Sequence, residues 1–201
     1  MLMTCKTGRI ISYSAGGVMS QTTELKSQLE GRIAELKDVE PLERLVQYAF
    51  RGGKASKSWT GEEHLVRGPR ITIDGLHDIL NGVDQVILLA ELVDGGERKL
   101  VGCIHLKREG EHGHIGMLAV DPDSQSTGAG KFLMNWSEEY AREHYHAKAI
   151  VGEVVSGRPE LMAWYQRMGY NPTGETAPFN PEGVVHLVDG LHFIKIVKPI
   201  V

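Results

Sequence analysis

The sequence has few cysteines, no long apolar run and no cluster of one charge, and each absence excludes a class of protein. Two cysteines, Cys5 and Cys103, are too few for a disulfide framework, which favours a reducing intracellular compartment. No apolar run is long enough to cross a membrane. The net charge of −4 at pH 7, without any basic run, gives no reason to expect a nucleic-acid partner.

The remaining composition is that of a globular protein. Hydrophobic residues make up 41% of the chain and charged residues 24%, which are ordinary values. Residues 1–23 contain no acidic side chain, and we expect them to form a flexible extension ahead of a single domain over residues 24–201. A cytoplasmic location is expected, with mitochondrial targeting by residues 1–23 as the minor alternative.

Hydrophobic periodicity predicts an α+β protein. Apolar spacing favours helices at residues 39–50, 62–66, 74–80, 129–145 and 159–168. Strand patterns occur at residues 32–36, 86–92, 100–107, 114–120, 149–155 and 191–198. The strands between residues 86 and 120 are separated by glycine-rich hairpin loops and predict an antiparallel meander. Residues 171–183 are rich in proline and glycine and predict a loop.

The most informative stretch lies between the strand at 114–120 and the helix at 129–145. The turn Gln125-Ser126-Thr127-Gly128-Ala129-Gly130 has glycines at its fourth and sixth positions. Glycine lets a ligand approach the main chain closely, and a helix that begins there directs unpaired N–H groups outward. Such a turn can bind a pyrophosphate with backbone alone, although an ordinary strand-to-helix turn is the alternative. The absence of a Gly-Lys-Ser/Thr ending and of a third glycine excludes the nucleotide P-loop and the dinucleotide motif.

Two motifs together resemble those of the GNAT superfamily of N-acetyltransferases. Gln125-x-x-Gly128-x-Gly130, preceded by Leu118-Ala119-Val120-Asp121-Pro122, is similar to that family's acyl-CoA-binding motif. Trp164-Tyr165-Gln166-Arg167-Met168-Gly169-Tyr170 is similar to its second motif. The resemblance implies a GNAT-type α+β fold, with a mixed, mostly antiparallel central sheet of six to seven strands and about four flanking helices. It also implies acetyl-CoA as the co-substrate.

The resemblance assigns a cofactor site. In that family the fourth and fifth strands part at a bulge and the pantetheine arm pairs with the exposed edge, so the backbone of residues 118–120 is expected to bind it. The N–H of Leu118 is the candidate donor to the carbonyl oxygen. Arg158 replaces an asparagine that often holds the pantetheine amide, and it is expected to bind a CoA phosphate or an acidic group of the acceptor, unless it is a surface arginine. The residues expected to bind acetyl-CoA are Leu118, Ala119, Val120, Gln125, Ser126, Thr127, Gly128, Ala129, Gly130, Lys131 and Arg158.

The resemblance also suggests the catalytic residues. Tyr165 occupies the position of the general acid that protonates the CoA sulfur, although periodicity alone would make it a core residue. Glu153, twelve residues earlier, matches the base glutamate of ribosomal-protein N-terminal acetyltransferases. His114, four residues before Leu118, matches the base position of histone-acetylating members, and an imidazole is suited to accept a proton. Ordered water is the third alternative for deprotonating the amine.

The acceptor site is less defined. Trp59 and Arg70 lie in or near a glycine-rich loop that borders the acceptor in the fold that the chain resembles, so both are candidate substrate residues. The histidine pairs 112/114 and 144/146 lack a third ligand cluster, and no metal is predicted.

The function expected from the resemblance is transfer of an acetyl group from acetyl-CoA to the primary amine of a small metabolite. The amine would attack directly in a ternary complex, without a covalent enzyme intermediate. A protein N-terminus or lysine is the alternative acceptor, and a non-catalytic acyl-CoA sensor is the alternative of another class. Neither a nucleic-acid nor a membrane partner is expected, and the resemblance allows a homodimer, since many relatives are dimers.

Overall fold

The computed structural model describes residues 28–52, 61–180 and 183–200. Its strands are β1 (Gln28–Ile33), β2 (Val66–Arg67), β3 (Gln85–Asp94), β4 (Glu97–Glu109), β5 (His112–Val120), β6 (Ala149–Val155), β7 (Asn171–Pro178), β8 (Val185–His186) and β9 (His192–Pro199). Its α-helices are α1 (Val39–Arg51), α2 (Ile73–Asn81), α3 (Ala129–Tyr145) and α4 (Pro159–Arg167).

Seven of the described strands form one central sheet in the order β1-β3-β4-β5-β6-β9-β7. Neighbouring strands run antiparallel except β5 and β6, which are parallel. The short strands β2 and β8 pair separately. This mixed, mostly antiparallel sheet with its flanking helices confirms the predicted fold class.

The predicted meander is formed by β3, β4 and β5. Gly95 and Gly96 close its first hairpin with φ values of 56° and 92°, which glycine adopts readily and which match the twist of the flanking strands. The second hairpin turns at Gly110, with φ of 61°. The glycines of the turns and the hydrophobic patterns of the flanking segments therefore indicate the same two hairpins.

Helices cover both faces of the sheet. Alternate residues of β3 belong to two different buried clusters: Leu89 packs with Leu42 and Val46 of α1, and Leu88 packs with Leu133 of α3. Because successive strand residues point to opposite faces, α1 and α3 lie on opposite sides of the sheet. The apolar stripe of each helix faces the sheet between them.

Three sequence predictions need correction. The first strand is residues 28–33 and not 32–36, because residues 28–33 pair with β3 and residues 36–38 already form a helical turn. The predicted short helix at 62–66 is a turn that leads into β2. The predicted loop at 171–183 contains β7, an exposed strand at the edge of the sheet, where proline is tolerated since one side needs no hydrogen bonds.

The predicted extension at residues 1–23 lies outside the described residues. Among the helices that the structure describes, none is both long enough and apolar enough to span a bilayer.

Candidate active site

A gap opens in the sheet where β5 and β6 part. The two strands pair only from His112 with Ala149 to Ile115 with Gly152, while β5 continues to Val120 along β4. Beyond that point Met117 has a left-handed φ of 50°, and the register between β4 and β5 shifts. A bulge of this kind increases local twist and turns a strand away from its neighbour, which here leaves one edge of β5 without a partner strand.

A cleft fills this gap, and it brings together five residues that the sequence singled out. Its walls include His114, Leu118, Glu153, Tyr165 and Arg70. Its volume is about 160 Å³. The cleft is thus large enough for the reacting groups of two small molecules but not for a whole CoA.

Tyr165 extends from α4 into this cleft. Its ring is 8% exposed and packs edge-on against Tyr170, with 5.7 Å between the ring centroids. Burial raises the pKa of the Tyr165 phenol, so the hydroxyl keeps its proton at neutral pH. Within the described part of the chain the hydroxyl makes no hydrogen bond, and it is therefore a proton donor that no protein acceptor engages.

Two proton acceptors lie together on the wall of the cleft. His114 pairs with Val151 in the register of β5 and β6, and Glu153, two residues further along β6, shares the face of Val151. The carboxylate of Glu153 is exposed and makes no hydrogen bond or ion pair with any described residue. The Nδ1 atom of His114 lies 3.1 Å from a carboxylate oxygen of Glu109, so one imidazole nitrogen is already engaged.

The turn before α3 has the geometry of an anion site. Gly128 is the N-cap of α3, with φ of 86° and no side-chain cap. The first intrahelical bond runs from the N–H of Phe132 to the oxygen of Gly128 at 2.9 Å, so the three preceding N–H groups have no partner in the helix. A Cβ at Gly128 would meet no atom within 4 Å. This open, positively polarised end fits a pyrophosphate.

The other predicted residues of the turn surround that helix end. Its shape is held by Thr127, whose hydroxyl donates to the oxygen of Ser124 at 2.8 Å, and Ser126 adopts a left-handed φ of 79°. Four of these residues are half-buried or exposed: Gln125, Ser126, Thr127 and Lys131. In contrast, Ala129 and Gly130 are buried. Ala129 and Gly130 can therefore contact a ligand only through their backbone N–H groups.

Arg158 is not among the residues that line the cleft. Arg158 is 2% exposed; its Nη1 donates to the oxygen of Gly61 at 2.8 Å, and its Nε donates to Glu160. This guanidinium fastens the loop at residue 61 to the start of α4, and the placement speaks against the predicted contact with CoA or with an acidic acceptor. Trp59 lies outside the described residues.

The sequence analysis missed an ion pair in the cleft wall. Arg51 at the end of α1 donates to Glu62 at 3.0 Å, with the two side chains 12% and 11% exposed. Both residues flank glycine-rich segments, and no sequence pattern indicated that they meet. No group of three or more metal-ligating side chains occurs in residues 28–52, 61–180 and 183–200.

Solved structures share this fold. They include an N-acetyltransferase from Staphylococcus aureus Mu50 (17% identity, TM-score 0.64, covering 86% of this chain and 97% of that one). Another is the ribosomal-protein-S18-alanine N-acetyltransferase from Escherichia coli (15% identity, TM-score 0.61, covering 86% of this chain and 94% of that one). A third is spermidine/spermine N-acetyltransferase SpeG from Vibrio cholerae (16% identity, TM-score 0.58, covering 86% of this chain and 93% of that one). At these identities the likeness shows the fold alone.

The sequence itself identifies the family. No curated protein matches it, but residues 57–170, more than half of the chain, match the model of the acetyltransferase (GNAT) family. The match confirms the resemblance that the two motifs gave. The chain therefore belongs to the GNAT acetyltransferase family, and it is an acyl-CoA-dependent N-acyltransferase with acetyl-CoA as its co-substrate.

Proposed function

We propose that the protein transfers the acetyl group of acetyl-CoA to the primary amine of a small metabolite, by direct attack in a ternary complex. The observation that carries this proposal is the cleft between β5 and β6. It combines a protonated, unengaged phenol at Tyr165 with an unengaged carboxylate at Glu153. The sequence has no long run of one charge that would mark a docking surface for a protein acceptor, which favours a small one.

The chain has a continuous surface for the co-substrate. The turn at residues 125–131 would hold the pyrophosphate, and the free edge of β5 at residues 118–120 would pair with the pantetheine arm. The N–H of Leu118 is the candidate donor to the thioester carbonyl. When bound there, acetyl-CoA supplies the activated acetyl group.

The proposed proton transfers use two side chains. Glu153 accepts a proton from the acceptor ammonium, which frees the nitrogen lone pair, while His114 is the rival base. As the new C–N bond forms and the C–S bond breaks, Tyr165 gives its proton to the sulfur. Overall the ammonium loses two protons: one is released to solvent, and the other restores the proton that Tyr165 has given up. No covalent enzyme intermediate is needed.

Cys103 does not serve as a nucleophile in this scheme. It is fully buried in β4, and burial raises the pKa of its thiol to about 12. The thiol is therefore protonated at neutral pH and unreactive.

Release of free CoA thiol from acetyl-CoA, measured across a panel of amines, amino acids, polyamines and peptides, tests the proposal. A direct acetyl-CoA titration accompanies it. We expect turnover with a small amine. We also expect Tyr165→Phe to lower kcat by about a hundredfold or more, as for loss of a general acid, with the acetyl-CoA Kd unchanged. Tyr140→Phe on α3, outside the cleft, is the matched control.

Each outcome decides between the alternatives. Turnover only with peptides would replace the small metabolite by a protein acceptor. Tight acetyl-CoA binding with no turnover on any amine would favour a sensor. Equal turnover by Tyr165→Phe and the wild type would remove Tyr165 from the mechanism.

A further inference from the structure

The two arginines in the wall of the cleft differ in how they are paired. The guanidinium of Arg51 donates to Glu62 at 3.0 Å and to the backbone oxygens of Gly68 at 2.9 Å and Phe50 at 3.3 Å. Its hydrogen-bonding capacity is thus used by the protein. Arg51 holds the segment that leads to Arg70 against the end of α1.

The backbone of Arg70 is positioned by the protein, whereas its guanidinium has no hydrogen-bonded partner among the described residues. Its backbone N–H donates to the Gln47 side chain at 3.0 Å, and Gln47 in turn donates to the oxygen of Ile71 at 2.9 Å. Its guanidinium carbon lies 4.9 Å from the centre of the Phe50 ring. In the described part of the chain, the guanidinium forms no hydrogen bond and no ion pair.

A guanidinium without a hydrogen-bonded partner in the wall of the cleft is unfavourable in the absence of a bound ligand. Burial lowers the pKa of Arg70, yet arginine stays charged in proteins. A half-buried charge without a hydrogen-bonded partner costs free energy. The nearby carboxylate of Glu62 and the ring of Phe50 compensate for only part of it. The planar fork of an arginine matches a carboxylate with two parallel hydrogen bonds.

We propose that Arg70 binds the carboxylate of the acceptor, so that the acceptor is an amino acid or another small amino-carboxylic acid. This inference rests on the proposed N-acetyltransferase function and specifies its substrate class. Arg70 and Glu153 line the same cleft, so a zwitterion can place its carboxylate at Arg70 and its ammonium at Glu153. The amine then reaches the part of the cleft that contains Tyr165.

The charges of the cleft disfavour other acceptors. A polyamine has no carboxylate to pair with Arg70, and its second cation would be repelled by that guanidinium. A phosphate dianion would meet the carboxylates of Glu62 and Glu153, which also line the cleft, and a carboxylate suffers about half of that repulsion. The likeness to a spermidine/spermine N-acetyltransferase thus concerns the fold, and the charges here predict the opposite preference.

Matched pairs of acceptors test the inference. CoA release is measured with amino acids as free acids and as the corresponding carboxamides, together with a diamine, an aminoalkyl phosphate and a peptide. The wild type is compared with Arg70→Gln, Arg70→Lys and Arg67→Gln. Arg67 is an exposed arginine of β2 and serves as the control. Thermal melting and acetyl-CoA titration of each variant verify that it is folded and binds the co-substrate.

We expect the wild type to acetylate at least one free acid with a kcat/KM roughly tenfold to a hundredfold above that of its carboxamide, the range for a hydrogen bond to a charged group. Arg70→Gln should remove this preference by losing activity on the acid and keeping it on the carboxamide. Arg70→Lys should keep part of the preference, and Arg67→Gln all of it.

Equal activity on acids and carboxamides, or a preference for the diamine, the phosphate or the peptide, would overturn the inference while leaving the acetyltransferase function in place. The same holds if Arg70→Gln retains the wild-type preference. Acetyl-CoA binding without acetylation of any acceptor would overturn both proposals.

Discussion

Single side chains differ in how well their positions in the fold could be predicted from the sequence. Periodicity alone would make Tyr165 a core residue, and it was the resemblance of its motif to the family that predicted its position in the cleft. Arg158 could not be placed, since its partner is the oxygen of Gly61, 97 residues away in sequence. Its burial depends on where a distant loop packs, and periodicity carries no information about that.

The choice of general base is a question about two residues. Glu153 makes no hydrogen bond or ion pair with a described residue, since its cross-strand neighbour Lys195 pairs with Glu175. In contrast, Nδ1 of His114 is engaged by Glu109 at 3.1 Å. We therefore expect Glu153→Gln to lower kcat/KM by about a hundredfold, the range for loss of a positioned base, and His114→Gln to lower it less than tenfold. The measurement is kcat/KM for each variant from pH 6 to 9, with the exposed His112→Gln as control. The larger loss in His114→Gln would assign the base to the imidazole, and small losses in both would leave water as the proton acceptor.

Helices and strands with strong local signals were predicted well. The helices α1, α2, α3 and α4 and the meander β3–β5 have clear periodicity and turn residues, and the structure confirms them with small shifts at their ends. The strand β7 was missed because its side chains are almost all exposed, so neither alternation nor hydrophobicity marks it. It exists because β9 offers a partner, a condition that only the assembled sheet supplies.

The start of α3 permits a test with a closely matched control. Gly128 and Gly174 have the same φ of 86°, and a Cβ at either would meet no protein atom within 4 Å. In Gly128→Ala and Gly174→Ala we expect similar losses of stability, about 1 to 2 kcal/mol for an L-residue in this conformation. Only Gly128→Ala should weaken acetyl-CoA binding, by about tenfold or more, because its methyl group occupies the space proposed for the pyrophosphate. Calorimetric titration and thermal melting measure the two effects. Equal acetyl-CoA affinity in both variants would show that the turn does not bind the cofactor.

The stability of the whole molecule depends on how the first strand and helix are tied to the sheet. Arg32 on β1 donates to Asp38 at 2.7 and 2.8 Å and to Glu91 on β3 at 2.8 Å. Arg98 on β4 reaches the same Glu91 at 3.1 Å. These charges connect three strands to the segment that begins α1. No sequence pattern indicated this network, because its members come together only when the strands pair.

This network predicts how the stability of the molecule depends on pH. Burial alone would raise the pKa of Asp38, but the hydrogen bonds from Arg32 and from the backbone lower it below its usual value. The carboxylate therefore stabilises the folded state above the unfolded pKa of about 4, and that contribution is lost as the pH falls through the folded value. At pH 7 we expect Asp38→Asn to lower Tm by about 5 °C, corresponding to about 2 kcal/mol, and the difference from the wild type to shrink below about pH 4.

Glu40→Gln removes an exposed partner of Arg44, 3.7 Å away, and should shift Tm by less than about 2 °C. Thermal melts from pH 3 to 8 distinguish the two variants. A Tm difference for Asp38→Asn that stays constant down to pH 3 would show that its effect comes from packing and not from the charge, because only an ionised Asp38 can lose its contribution on protonation.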